Sequence, residues 1–247
     1  MIAKLLPQKT LKNLALTEKL WQYPAQEALY GYLDLTDKNV LEKWVDVGRD
    51  KFFKHVHALC CSTRPFTESG KRDVDRFLNS HLEHFSKLSY LALYGGPVPS
   101  TLSRSFAENT LKVLKLYGCS ISLYELVTLL NTFGNLEHLL LHYSTTKQSL
   151  ANPPELLHHP KKLSLTGIQS NIHRELSELS LNYEQLAFDL YQDLITVQDF
   201  INRSEGTLKY LELGCSNVIG MYLYMVCPEI TDWNPWFCFR FRSINIP

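Results

Sequence analysis

Leucines recur in a fixed frame along most of this chain. The pattern L-x-x-L-x-L stands at Leu88/Leu91/Leu93, Leu111/Leu114/Leu116, Leu136/Leu139/Leu141, Leu176/Leu179/Leu181 and Leu208/Leu211/Leu213. Phe53/Val56/Ala58 and Pro160/Leu163/Leu165 fit it more loosely. Side chains alternate across a strand, so the fourth and sixth positions share one face and predict a short strand with that face buried. Between strands the pattern changes to a helical period. Ser122-x-x-Glu125 predicts a capping box that opens a helix with Leu126, Val127, Leu129 and Leu130 inward, closed by Gly134. Thr196-x-x-Asp199, followed by Phe200 and Ile201 and stopped at Gly206, predicts a second helix on the same plan. Asp73 to Phe85 predicts a third, with Val74, Phe77, Leu78, Leu82 and Phe85 on one stripe.

The frames begin at 53, 88, 111, 136, 160, 176 and 208, giving gaps of 35, 23, 25, 24, 16 and 32. The middle gaps of 23 to 25 match a leucine-rich repeat. The expected fold is therefore α/β, an irregular leucine-rich-repeat solenoid over residues 36–217, with parallel strands on the concave face and helices and loops outside. The third, fifth and seventh positions then point away from the leucines. They include His55, His57 and Leu59 in the first frame, and Glu178, Ser180 and Asn182 in the frame at 176. Tyr90, Tyr94, Lys115, Tyr117, His138, Leu140 and His142 fall in adjacent frames and are the expected protein-binding surface. Tyrosine offers large contact area, a hydrogen bond and little entropy to lose, although its ordinary strand preference accounts for the pattern equally well. The ninth position, where each strand turns outward, is Cys61, Gly96, Cys119, Ser144, Ile168, Glu184 and Ser216. Some of these can make a side-chain hydrogen bond and some cannot, so an uneven stack is expected.

Charge and chemistry narrow the function. Twenty-five basic and 25 acidic residues cancel, which is not the basic excess of a nucleic-acid binder. Met1–Leu6 is too short for a signal-peptide core, and the longest apolar run, Val218–Cys227, is too short for a membrane helix. The six cysteines contain no C-x-x-C, so reduced thiols in the cytoplasm or nucleus are expected. His55/His57 and His138/His142 lie too many strands apart to share a metal, and His158-His159 has no ligand partner at suitable spacing. Gly95-Gly96-Pro97 reads as a turn after a strand, since proline lacks a donor that a phosphate cradle would use. Hydrolase, metalloprotease and nucleotide-binding motifs are missing from the sequence. The expectation is a protein that is not an enzyme and takes no cofactor, metal, nucleic acid or membrane.

Three stretches carry a family resemblance. Residues 11–35, with Ala15-Leu16-Thr17, Trp21, Pro24-Ala25-Gln26, Leu29-Tyr30 and Leu33-Asp34-Leu35, look like the second half of an F-box. Residues 53–61 look like the strand that follows it, and 110–141 look like a central pair of repeats. Over roughly residues 11–217 the chain resembles the F-box/leucine-rich-repeat-like proteins abundant in mushroom-forming fungi. In that family an opening L-P-x-E-[IL] helix contacts the adaptor of a cullin-type ubiquitin ligase. Leu6-Pro7-Gln8-Lys9-Thr10 keeps the Leu-Pro but lacks the acidic residue and, by this reading, the helix that follows. The resemblance implies a substrate-recognition part of such a ligase, with an unidentified protein partner, weakened adaptor binding, and residues 1–35 as a remnant of the F-box. The alternatives are a free-standing repeat scaffold or regulator with no ligase link, and a non-functional truncated gene product. Residues 218–247, with Trp233 to Phe239, are read as an aromatic cap, an irregular tail or a misread gene end.

Overall fold

The structure is a computed structural model that describes residues 7–17, 19–45, 50–63, 68–103, 110–142, 144–146, 152–167, 176, 179, 183–189, 194–204, 206–216 and 238–244. It is α/β, with parallel strands, in two units spanning 1–112 and 113–247.

In the first unit, helices α1 (Gln8–Thr17) and α2 (Lys19–Tyr30) precede strand β1 (Tyr32–Leu35). Helices α3 (Lys38–Val45) and α4 (Asp50–Phe53) lead to β2 (Ala58–Ser62), and α5 (Glu68–His81) leads to β3 (Tyr90–Pro97). The strands run parallel, with Leu33, Leu59 and Leu91 in one row and Leu35, Cys61 and Leu93 in the next. Val74, Phe77, Leu78, Leu82 and Phe85 are all buried, although α5 ends at His81 and Leu82 and Phe85 follow it in a short 3-10 turn and its cap. Phe53 lies among them, its ring 4.7 Å from Phe85, 5.8 Å from Phe77 and 5.7 Å from Trp44. Leu11 of α1 packs with Ala25 of α2, bordered by Leu14, Ala15, Ala28 and Leu29. A helix does follow Pro7 directly, contrary to the reading of the Leu-Pro stretch, and it carries Ala15-Leu16-Thr17. Trp21 belongs to the next helix.

The first leucine frame needs correction. Phe53 ends α4, and turn bonds from the amides of His55 and Val56 to the carbonyls of Phe52 and Phe53 delay the strand. The residues level with Leu91 and Leu93 are Leu59 and Cys61, so the frame is Val56/Leu59/Cys61. Leu59 and His55, expected on the outward face, are completely buried. Gly95 and Gly96, expected in a turn, lie within β3 at φ 69° and 72°. A Cβ on Gly96 would stand 2.4 Å from the Thr63 carbonyl oxygen, which is backbone and cannot swing away. Gly96→Ala is therefore expected to cost about 1–3 kcal/mol through left-handed strain and this clash, read as a lower melting temperature.

The second unit contains β4 (Val113–Ile121), α6 (Leu123–Thr132), β5 (His138–His142), β6 (Thr145–Thr146), β7 (Lys162–Thr166), β8 (Gln185–Asp189), α7 (Leu194–Arg203), β9 (Tyr210–Ser216) and β10 (Cys238–Ile244). The strands run parallel in the order β4-β5-β7-β8-β9-β10, with β6 paired to the far end of β4. The Ser122 capping box forms as predicted: the Glu125 amide donates to Ser122 Oγ at 3.2 Å, and the Ser122 amide to Glu125 Oε2 at 2.8 Å. The same four residues, Leu126, Val127, Leu129 and Leu130, are buried. Gly134 is not the expected left-handed cap, because the Phe133 amide closes the helix on the Leu129 carbonyl and positive φ belongs to Gly95, Gly96, Gly118 and Gly167. Helix α7 starts at Leu194, so Thr196 falls inside its first turn rather than at its cap, and Gly206 is not left-handed either.

Two further expectations are displaced. The strand expected around Leu179 and Leu181 stands instead at β8, where Leu186 is level with Leu163 and Leu211, and Phe188 with Leu165 and Leu213. Leu179 donates its amide to the Leu176 carbonyl, a turn rather than a ladder bond. Leu181, its outward companions Glu178, Ser180 and Asn182, and Ile168 lie outside the described residues. With the frame moved to Tyr183/Leu186/Phe188, the starts from 88 to 208 are spaced by 23, 25, 24, 23 and 25 residues. The irregularity of the central array came from one misplaced frame. Within the segment read as a cap or irregular tail, β10 runs parallel to β9 with Phe239 beside Leu211 and Phe241 beside Leu213. The apolar run Val218–Cys227 and the aromatic stretch Trp233–Phe237 lie outside the described residues.

Candidate protein-binding faces

Opposite the buried leucines of the second unit, parallel register arranges the outward side chains in rows. Val113, His138, Lys162, Gln185 and Tyr210 form one row, and Lys115, Leu140, Ser164, Ala187 and Glu212 the next. Tyr117, His142 and Thr166 begin a third. Five of the seven expected site residues therefore stand together here: Lys115, Tyr117, His138, Leu140 and His142, all half-buried. Cross-strand bonds tie the row members. His138 Nε2 lies 2.9 Å from Ser164 Oγ, and His142 Nδ1 lies 2.5 Å from Thr166 Oγ1. The Tyr117 ring meets the His142 ring edge-on at 5.4 Å. A hydroxyl can donate or accept, so either neutral imidazole tautomer can be satisfied.

Burial, and then the positive charge of Lys162 and Lys115, pushes His138 down to about 4. It is neutral at pH 7. A histidine held neutral in the fold stabilises above its ordinary value of 6.5, and that stability is lost as pH falls from 6.5 towards 4. Because the ring is partly exposed, the expected loss is about 1–2 kcal/mol, less than the full shift. Urea unfolding at pH 7 and pH 5 should show this slope, and His138→Gln should flatten it.

Of the expected turn residues, Cys119 lies within β4 rather than at a turn, and Ser144 stands between β5 and β6. Cys119 and Ser144, both at ninth positions, are completely buried. Cys119 Sγ approaches the Tyr117 carbonyl at 3.6 Å, and Ser144 Oγ donates to the Leu116 carbonyl at 3.0 Å. Before β7, Asn131 of α6 pins the extended chain, donating to the Glu155 carbonyl at 2.8 Å and accepting from the Leu157 amide at 2.7 Å.

Tyr90 and Tyr94 belong to the first unit, on β3. Tyr32, Ala58 and Tyr90 share a row there, as do Asp34, Cys60 and Ala92, and then Ser62 and Tyr94. Cys60 and Ala92 are buried and small, and the Tyr32 hydroxyl reaches Cys60 Sγ at 3.4 Å. Burial also keeps the Tyr90 phenol protonated by raising its pKa. Tyr32 is a face residue that the sequence reading missed, because its strand was assigned to the F-box-like stretch. The frame Tyr30/Leu33/Leu35 is the signal that marks it.

His57, expected on the strand face, precedes β2 and instead meets α2, with Nε2 3.0 Å from Glu27 Oε1. Lys87 approaches the same carboxylate at 3.4 Å and lies 5.0 Å over the Tyr23 ring, whose hydroxyl it also meets. The bond from His57, ahead of the lysine's charge, holds Glu27 below the usual carboxylate range. Beneath Tyr23, 4.9 Å away, the buried His55 ring has no hydrogen-bond partner for either nitrogen among the described residues. Burial pushes its pKa down, so it packs as a neutral ring. Among the described residues no group of three His, Cys, Asp or Glu side chains is placed to hold a metal ion. No described helix is long and apolar enough to cross a membrane. No protein-family model matches the chain, and no curated protein matches it.

Proposed function

We propose that this chain is a leucine-rich-repeat solenoid that binds another protein through the strand face opposite its leucines and performs no chemistry of its own. The observation that carries this reading is the rows of the second unit. Strands about 4.8 Å apart in register bring Lys115, Tyr117, His138, Leu140 and His142 onto one face, while Leu114, Leu116, Leu139 and Leu141 fill the other. The aromatic and apolar members supply contact area, and the imidazoles and lysines supply direction. A role as the substrate-recognition part of a cullin-type ubiquitin ligase rests on the resemblance of residues 11–35 alone. A free-standing scaffold or regulator uses the same face without that segment.

Alanine variants test the face. With a partner recovered on the wild-type chain, Tyr117→Ala is expected to cost about 2 kcal/mol of binding, roughly a thirtyfold loss of affinity. Tyr124, exposed on α6, is the matched control and should be near neutral. Titration of the purified pair reads both. Full binding by Tyr117→Ala together with loss by Tyr124→Ala would move the recognition surface to the helices.

A further inference from the structure

The chemistry of the face on β4, β5 and β7 points to one kind of occupant. Its described outward side chains are Val113, Lys115, Tyr117, His138, Leu140, His142, Lys162, Ser164 and Thr166 in register, and none is acidic. Lys115 and Lys162 stand two strands and two residues apart, on opposite sides of His138 and Leu140. A strand spacing of about 4.8 Å and a rise of about 3.4 Å per residue separate their backbone positions by about 12 Å. Among the described residues no salt bridge engages Lys162. Alternation along β4 and β7 sets both lysines on the same side of the sheet as His138. In the two rows that run from β4 to β9 the acidic member is Glu212, on β9.

We infer that this face takes an extended acidic peptide segment of the partner, with carboxylates four residues apart on Lys115 and Lys162 and an apolar residue midway over His138 and Leu140. This deepens the protein-binding reading and rests on it. An extended peptide advances about 13 Å in four residues and sends residues i, i+2 and i+4 to one side. The 12 Å lysine separation therefore fits the pattern acidic-x-apolar-x-acidic. The midway side chain meets the half-buried Leu140 and an uncharged imidazole, neither of which costs it much in lost hydration. Tyr117, His142 and Thr166 border the track on one side.

The test uses the full chain and two fluorescein-labelled peptides, Gly-Glu-Ser-Leu-Ser-Glu-Gly and the same peptide with both Glu replaced by Gln. Anisotropy titrations at low and at physiological salt are run with wild type, Lys115→Gln, Lys162→Gln and Lys161→Gln. The last removes the same charge from an exposed neighbour off the face. The Glu peptide should bind and weaken as salt rises, and the Gln peptide should bind at least tenfold more weakly. Lys115→Gln and Lys162→Gln should each lose at least tenfold, with Lys161→Gln within about twofold of wild type. Equal losses for Lys161→Gln, no binding of the Glu peptide at millimolar concentration, or equal binding of the two peptides would each overturn the inference. So would lysine-dependent binding of a labelled oligothymidylate in place of the peptide, which would make the face a nucleic-acid site. If the peptide fails while Tyr117→Ala still loses the recovered partner, the acidic segment is wrong and the protein-binding reading stands. If Tyr117→Ala keeps that partner, the broader reading fails first.

Discussion

Phe188→Ala is expected to lower the free energy of unfolding by about 3–5 kcal/mol. Phe188 is almost completely buried on β8, level with Leu165 on one side and Leu213 on the other. Its ring lies 5.6 Å from Phe200 of α7, which in turn is 6.3 Å from the buried Tyr183. Truncation removes the ring's burial and leaves a cavity between strand and helix, where neighbours fixed by two elements cannot collapse fully. The prediction also separates two registers. With the strand at Leu179 and Leu181, Phe188 would fall in a connecting loop and its loss would cost well under 1 kcal/mol, as loop substitutions usually do. Urea unfolding with an unchanged m-value decides between them.

Leu139→Ala is expected to cost about 2–5 kcal/mol. Leu139 is completely buried at the centre of β5, level with Leu114 of β4 and Leu163 of β7. Its neighbours are held by ladder bonds on both sides, so the void is not readily filled. Leu140, one residue on, points to the opposite face and is half-buried. Leu140→Ala should therefore cost about 1 kcal/mol or less, from the smaller area it removes from water. Equal costs at the two positions would mean that alternation along β5 does not separate an inner from an outer face.

The strands that were legible in the sequence are those whose frames are filled by leucine. Frames at 88, 111, 136, 160 and 208 mark β3, β4, β5, β7 and β9. Three that were not carry aromatic residues in the frame: Tyr30 at β1, Tyr183 and Phe188 at β8, and Phe239 and Phe241 at β10. The frame selects apolar volume on one side of a strand, and aromatic rings satisfy it as well as leucine does. Leucine at 176, 179 and 181 imitated the frame, although Leu176 is helical and its carbonyl accepts the Leu179 amide in place of a ladder bond. The capping box at Ser122 was legible because its chemistry is complete within four residues. The glycine stops were less so, since a helix can also close through a main-chain bond such as that of Phe133.

Alternation alone placed Lys115, Tyr117, His138, Leu140 and His142 on one face, because side-chain direction along a strand is a local property. What ties them together was not legible. The His138–Ser164 and His142–Thr166 contacts span 26 and 24 residues and depend on strand register. The His57–Glu27 pair spans 30 residues and depends on where α2 packs. His55 was misplaced for a local reason, the turn after α4 that delays β2.

Photo-crosslinking tests the binding face most directly. A benzoyl-phenylalanine is introduced at Tyr117 in one chain and at Tyr124 in another, and both are irradiated in cells before isolation. The account predicts a discrete crosslinked protein from position 117, abolished when Lys162→Gln is added, and none from position 124. A discrete product from position 124 with none from position 117 would contradict it.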